Sequence, residues 1–204
     1  MFTPTELDLE RGWPGRIEGD KVVQLAAQTL QAFFTGGGAA REHAEYPLAD
    51  VVLRAPVLHP PGIRVFHDGE DFAFGNTAAI YGPGDDVPYP AGSSDLRLQA
   101  AVVAVLGAEG TIGGFTAGNV WHAPDLHGAK SRDFALSIGP VVVTPDEYED
   151  PAWTKRLAHA AHNTRLRPGE LLVVPLGDSR HAEPGPVAVE IDGIGVLSNR
   201  VVAA

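Results

Sequence analysis

Hydrophobic residues along this chain come in short runs broken by glycine and proline, with few long helical stripes. Residues 96–106, LRLQAAVVAVL, alternate at first and become apolar on both faces from Ala100 onward, as a central strand of a closed sheet does. Residues 115–121, 138–144 and 171–176 read as further strands, the second rich in β-branched residues and stopped by Pro145. A hairpin is predicted over 16–25, turning at Glu18-Gly19-Asp20, and another over 187–202 around Asp192-Gly193. Residues 47–57 and 62–66 give shorter strand signals, separated by Pro60-Pro61. Helical spacing occurs twice. Val22, Leu25, Ala26, Leu30, Phe33 and Phe34 share one face of a helix ended by the glycines at 36–38, and 150–164 carries a second pattern with Pro151 near its start. The fold class predicted is mostly β (α+β), with a small N-terminal strand and helix module over 1–50 and a β domain over 51–204.

Composition sharpens this reading. With 24 Gly and 17 Pro in 204 residues, turns must be frequent. They are expected at the acidic stretch His67-Asp68-Gly69-Glu70-Asp71, at 107–114, and at Tyr81-Gly82-Pro83-Gly84-Asp85-Asp86, where the chain has to reverse. A net charge of -11 leaves no basic stripe to neutralise phosphates, which argues against a nucleic-acid partner. The absence of Cys rules out disulfides, thiolate metal sites and cysteine nucleophiles, and suits a reducing cytosol. The start lacks the order of a signal peptide and no apolar run reaches about 18 residues, so the expectation is a cytoplasmic protein with no membrane partner.

Polar chemistry gathers in one segment. Residues 119–147, NVWHAPDLHGAKSRDFALSIGPVVVTPDE, hold His122, Asp125, His127, Lys130 and Asp133 in order, and Pro124 with Gly128 makes 121–131 a strand end followed by a loop. Lys130 is a candidate oxyanion-stabilising cation, or a base if burial lowers its pKa; the plainer alternative is a solvated loop lysine. His122 and His127 are candidates for proton transfer, with Asp125 orienting one ring. Five residues apart in an extended chain, the two would point to opposite sides unless the loop changes that parity. The same three side chains could instead ligate Zn²⁺ or Fe²⁺, at a spacing that matches no strong metal signature. His67 in its acidic turn and His181, between Arg180 and Glu183, are weaker candidates. Ser131 and Ser137 suggest no triad, and the glycine clusters lack the strand, loop and helix context of a phosphate cradle.

APVLHPPGIRVF, AAIYGPGDDVPYP, the 119–147 segment, LRPGELL and EIDGIGVLSNRVV together resemble the fumarylacetoacetate hydrolase family, and RIEGDKVVQL resembles that family's small N-terminal module. The similarity runs in order over nearly the whole chain. It implies a rolled mixed sheet with a barrel-like core, homodimers, and cleavage, decarboxylation, hydration or tautomerisation of substrates with adjacent carbonyl or enol oxygens. Family members hold Mg²⁺, Mn²⁺ or Ca²⁺ through carboxylates, because a hard cation chelates both oxygens and stabilises the enolate. Lys130, in Ala-Lys-Ser, matches the family's active-site lysine; Asp125 matches the Asp of its Arg-Asp dipeptide, whose Arg is Pro124 here. His127 stands where a substrate-contacting glutamine is usual, and His122 where a small residue is usual. Trp121, Asn119, Tyr81 and His181 complete the expected substrate-binding set.

The sequence departs from the family where the metal ligands belong. The strand expected to carry Glu-x-Glu reads Arg97-Leu98-Gln99-Ala100-Ala101, the family's Asn-Asp-Trp reads Asn119-Val120-Trp121, and the lid segment with its catalytic His is reduced to HDGEDFAF. The expectation is therefore no metal and no cofactor. It describes a trimmed relative that acts on a small enolisable dicarbonyl or polyketide-like substrate by metal-independent acid/base chemistry. Lys130 would stabilise the enolate and His122 or His127 would move the proton. The alternative is a catalytically inactive member serving as a binding or scaffold protein.

Overall fold

A computed structural model describes residues 1–7, 9–67, 71–148 and 150–203. The chain opens with β1 (Phe2–Pro4), β2 (Gly15–Glu18), β3 (Lys21–Leu25), α1 (Leu30–Thr35), β4 (Glu42–Pro47) and β5 (Val51–Leu53). β2, β3 and β4 form an antiparallel sheet, while β1 pairs with β5. The hairpin turns where the sequence placed it, with Gly19 at φ +61°. The helix, however, is much shorter than its periodicity suggested. Val22 and Val23 stay in β3, paired with Tyr46 and Glu45 of β4, and are buried there. Helix starts only after Thr29, whose hydroxyl accepts the Ala32 N–H at 3.0 Å. Ladder bonds to a strand some twenty residues away outweighed local spacing. Likewise the single strand expected over 47–57 is interrupted by a 3-10 turn at Leu48–Asp50.

The second part contains β6 (Ile63–His67), β7 (Asp71–Phe74), β8 (Ile80–Tyr81), β9 (Asp86–Pro88), β10 (Arg97–Leu106), β11 (Ile112–His122) and β12 (Leu136–Val143). After α2 (Ala152–Ala161) come β13 (Leu171–Pro175), β14 (Arg180–His181), β15 (Gly185–Ile191) and β16 (Gly195–Val202). An eight-stranded mixed sheet runs β7-β6-β13-β10-β11-β12-β8, with β14 paired to the start of β10. β15, β16 and β9 make a further sheet. The described chain is mostly β, as the sequence predicted. No helix among the described residues is long and apolar enough to cross a membrane.

β10 is central, and Ala101 to Leu106 are at most 2% exposed, which is why that run is apolar on both faces. Val103 and Val105 pack with Ile63, Ile138 and Val173 on one side; Val102, Ala104 and Leu106 pack with Trp121, Leu172 and Leu197 on the other. The neighbouring β11 comes so close that a Cβ on Gly118 would sit 2.6 Å from Val103 Cγ2. The glycine-rich turn expected over 107–114 is shorter, because Ile112 already joins β11. The reversal at 82–86 is held by the Asp85 carboxylate accepting the Gly82 N–H at 2.6 Å, and by Asn199 Nδ2 donating to the carbonyls of Gly82 and Asp85.

A buried ion pair braces the sheet edge. Arg64 of β6 meets Glu170, each side chain 7% exposed, and Glu170 Oε1 also accepts the Arg167 N–H at 3.0 Å. The Arg64 guanidinium lies 5.5 Å from the Phe72 ring and 5.6 Å from the Phe74 ring, so the pair also fixes β7.

Candidate functional site

Side-chain alternation puts Arg97, Gln99 and Ala101 of β10 on the same face as Gly118, Val120 and His122 of β11. Register then sets Ala101 opposite Gly118, Gln99 opposite Val120 and Arg97 opposite His122. β14 adds His181 on the other flank of Arg97. Gln99 and Val120, together with Ile63, Val65 and Leu136, wall a cavity of about 900 Å³. Its polar lining includes Asn76, Ser131, Arg132 and Asp133. Asn76 Nδ2 donates to the Asp133 carbonyl at 2.7 Å, joining the β7–β8 connection to the loop after β11. Phe74, 77% exposed, lines the open side.

The structure separates the residues that sequence reasoning grouped. Lys130 lies in a 3-10 turn, Gly128–Ser131, with its neighbours Ala129 and Ser131 lining the cavity. Its own side chain is 78% exposed, does not line the cavity, and donates through Nζ to Asp133 Oδ2 at 2.7 Å. His127, just before this turn, is exposed. Asp125 orients no histidine: it accepts the Ser94 N–H at 2.6 Å and the Ser93 hydroxyl at 2.7 Å, pinning the loop that leads into β10. Those bonds, that of the Ser94 amide first, hold its carboxyl below the ordinary carboxylate value. His122, Asp125 and His127 therefore do not form a ligand triad.

Trp121 and Asn119 point to the opposite face from Val120. Trp121 is fully buried, its indole N–H donating to Ser137 Oγ at 2.9 Å, and Asn119 is buried beside it in the strand. Tyr81 packs on the Trp121 side of the core, where burial and then the Asp85 charge raise its hydroxyl pKa. His181 stands opposite Arg97 in β14, with Nδ1 3.2 Å from Asp95 Oδ1, and is not among the residues lining the cavity. His122 shares the strand face of Val120 without lining the cavity; it is half-buried, its pKa lowered by burial first and then by the charges of Arg132 and Arg97. His67 lines the cavity, while Asp68, Gly69 and Glu70 of the predicted acidic turn lie outside the described residues.

Sequence reasoning missed Arg97 and Arg132. Arg97 is gripped by both oxygens of Asp95, Nε lying 2.9 and 3.2 Å from them. Counting two residues back from Gln99 would have placed it on this face. Arg132 follows the turn that carries Lys130, and no distant signal marked it.

No protein-family model matches the sequence, and no curated protein is significantly similar to it. Solved structures do match. The maleylpyruvate hydrolase from Sphingobium sp. SYK-6 superposes with a TM-score of 0.83 at 18% identity, over 95% of this chain and 97% of that one. A 5-carboxymethyl-2-hydroxymuconate delta-isomerase from Mycobacterium smegmatis matches with a TM-score of 0.76 at 21% identity, over 94% of each chain. The chain has the fumarylacetoacetate hydrolase fold. This fold also corrects the expectation of no cofactor. The same Sphingobium hydrolase, in complex with manganese(II) ion and pyruvate, matches with a TM-score of 0.80 at 18% identity over 95% of this chain. A protein of this fold is thus seen with a divalent ion, and the changes at Gln99 and Val120 do not establish that this chain binds none. The cavity lining supplies His67 and Asp133 as its His, Asp or Glu side chains, and no group of three such side chains able to hold an ion occurs among the described residues. That set falls short of the several oxygens a hard cation needs, so no chemical step is routed through a metal.

Proposed function

We propose that the cavity is the substrate site of an enzyme acting on a small enolisable dicarbonyl acid, by tautomerisation, decarboxylation or carbon–carbon cleavage. The observation that supports this most is the polar row continuing the Gln99–Val120 wall on one face, with Arg97 opposite His122 and His181 beyond it. His122 ends β11 and is half-buried, and burial first, then the Arg132 and Arg97 charges, lower its pKa and favour the neutral ring. A neutral imidazole on the strand face that continues into the cavity wall is suited to take a proton from the carbon between two carbonyls. Arg132, which lines the same cavity, supplies positive charge for an anionic group of such a substrate.

A binding protein without turnover is the second reading, favoured by one observation. Among the described residues lining the cavity the carboxylate is Asp133, and Lys130 engages it. A panel of 2,4-dioxo acids and enol diacids, followed by loss of enol absorbance with and without manganese(II), tests both. Turnover that falls at least about 100-fold in His122→Gln supports the enzyme. Ligand-induced thermal stabilisation with no turnover in any condition supports the binding protein, and neither effect overturns both.

A further inference from the structure

Two arginines line the cavity, and of these Arg156 meets Asp150 at 3.8 Å. Arg97 is matched by Asp95, which also meets His181, and Lys130 is matched by Asp133. Arg132 lines the cavity, and its guanidinium makes no hydrogen bond or ion pair among the described residues. Its backbone is braced on both sides. The Arg132 and Asp133 N–H groups both donate to the Ala129 carbonyl at 3.0 Å, and the Asp133 carbonyl accepts from Asn76. The backbone that carries Arg132 is thus fixed, and a guanidinium offers two parallel donors that fit a carboxylate at two points.

We propose that Arg132 anchors the carboxylate of the ligand in this cavity and sets its preference for acids over neutral amides. This rests on the functional reading above and names the residue that selects the substrate class. The neighbouring motif lysine does not share this role, because its amine faces solvent and is engaged by Asp133.

Pyruvate and pyruvamide, nearly equal in shape and different in charge, are the probes, titrated by calorimetry with and without manganese(II). The wild-type protein is expected to bind pyruvate at least about tenfold more tightly than pyruvamide, because the neutral amide cannot accept the charge-assisted pair of hydrogen bonds. Arg132→Gln should bring pyruvate down to the level of pyruvamide, Arg132→Lys should keep part of the preference, and Lys130→Gln should change it less than about threefold. Circular dichroism and thermal melts confirm that each variant folds, as expected for an exposed loop position. Wild-type binding of both probes with equal affinity, an unchanged preference in Arg132→Gln, or loss of the preference in Lys130→Gln overturns the anchor alone. Failure of the wild type to bind either probe in either condition counts against both the anchor and the functional reading.

Discussion

Replacing Glu170 by Gln removes one charge from the buried pair with Arg64 and leaves the shape almost unchanged. The amide oxygen can still accept the Arg167 N–H, but its NH2 then faces Arg64 Nη1, so both the counter-charge and the acceptor of Arg64 are lost. Removing one partner of a buried pair costs about 3–5 kcal/mol, because the other charge stays in a poorly solvated place. Arg64 Nε has no partner even in the intact protein, which leaves the guanidinium little to fall back on. The rings of Phe72 and Phe74 offset part of the cost, as a desolvated cation over an aromatic face gains about 1–2 kcal/mol. The lower end, about 3 kcal/mol, is expected, which lowers the melting temperature by about 6–12 °C in a domain of this size. Urea unfolding followed by tryptophan fluorescence measures it. Removing both charges, with Arg64→Met and Glu170→Met together, should be less damaging than Glu170→Gln alone. A loss below about 1 kcal/mol in the single variant, or a double variant weaker than the single one, would refute the assignment of this pair as a buried, mutually dependent unit.

Gly118→Ala forces a Cβ to within 2.6 Å of Val103 Cγ2 and should cost about 1–3 kcal/mol, with recovery when Val103→Ala is added; denaturant titration of the two variants decides it. His122 should titrate below the ordinary imidazole value, and Arg132→Gln should raise its pKa by removing one of the charges that depress it. With the folded-state pKa below the unfolded one, its contribution to stability is present above about pH 6.5 and fades as pH falls through the folded value. NMR titration of the ring protons checks this, and a midpoint above the ordinary value would contradict it. For Asp125, also depressed, the contribution is present above about pH 4 and is lost as pH falls through the lowered folded value. Faster hydrogen exchange of the Ser94 amide in Asp125→Asn is the expected sign, and an unchanged rate would show that the carboxylate does not hold that loop.

The local alphabet of this chain carried most of its strands. The apolar run of β10, the hairpin β15–β16 and the extent of α2 follow from periodicity, turn residues and the proline near the helix start. The start of α1 did not follow, because Val22 and Val23 suit a helix face and a buried strand equally well, and pairing with β4 decided between them. The same dependence on distant partners shaped the site. Reading 119–147 as one polar segment joined His122, Asp125, His127 and Lys130, yet β11 ends inside it and the four side chains part company there. Residues far apart in sequence meet instead. The neighbours of His122 across the strands are Arg97 and then His181, which only register reveals.

That register also turns the cofactor question into a measurement. Gln99 and Val120 are directly opposed on the cavity wall, and opposed residues of an antiparallel pair hold their Cβ atoms about 4.5–5.5 Å apart. Carboxylates at both positions would converge on one point, close enough to share a divalent ion. The double variant Gln99→Glu, Val120→Asp should therefore lose stability in the presence of a chelator, since Val120 is buried and an uncompensated carboxylate there costs about 1–3 kcal/mol or more. Manganese(II) should then restore it, by about 2.7 kcal/mol at a concentration one hundred times the dissociation constant. Thermal melts across a manganese(II) series, run beside the wild-type protein, separate the alternatives. A larger manganese-dependent gain in the variant than in the wild type means that these two positions face a place where an ion can sit. Equal gains would mean that any ion bound by this chain is held elsewhere in the fold, and the opposition of Gln99 and Val120 would then have no bearing on it.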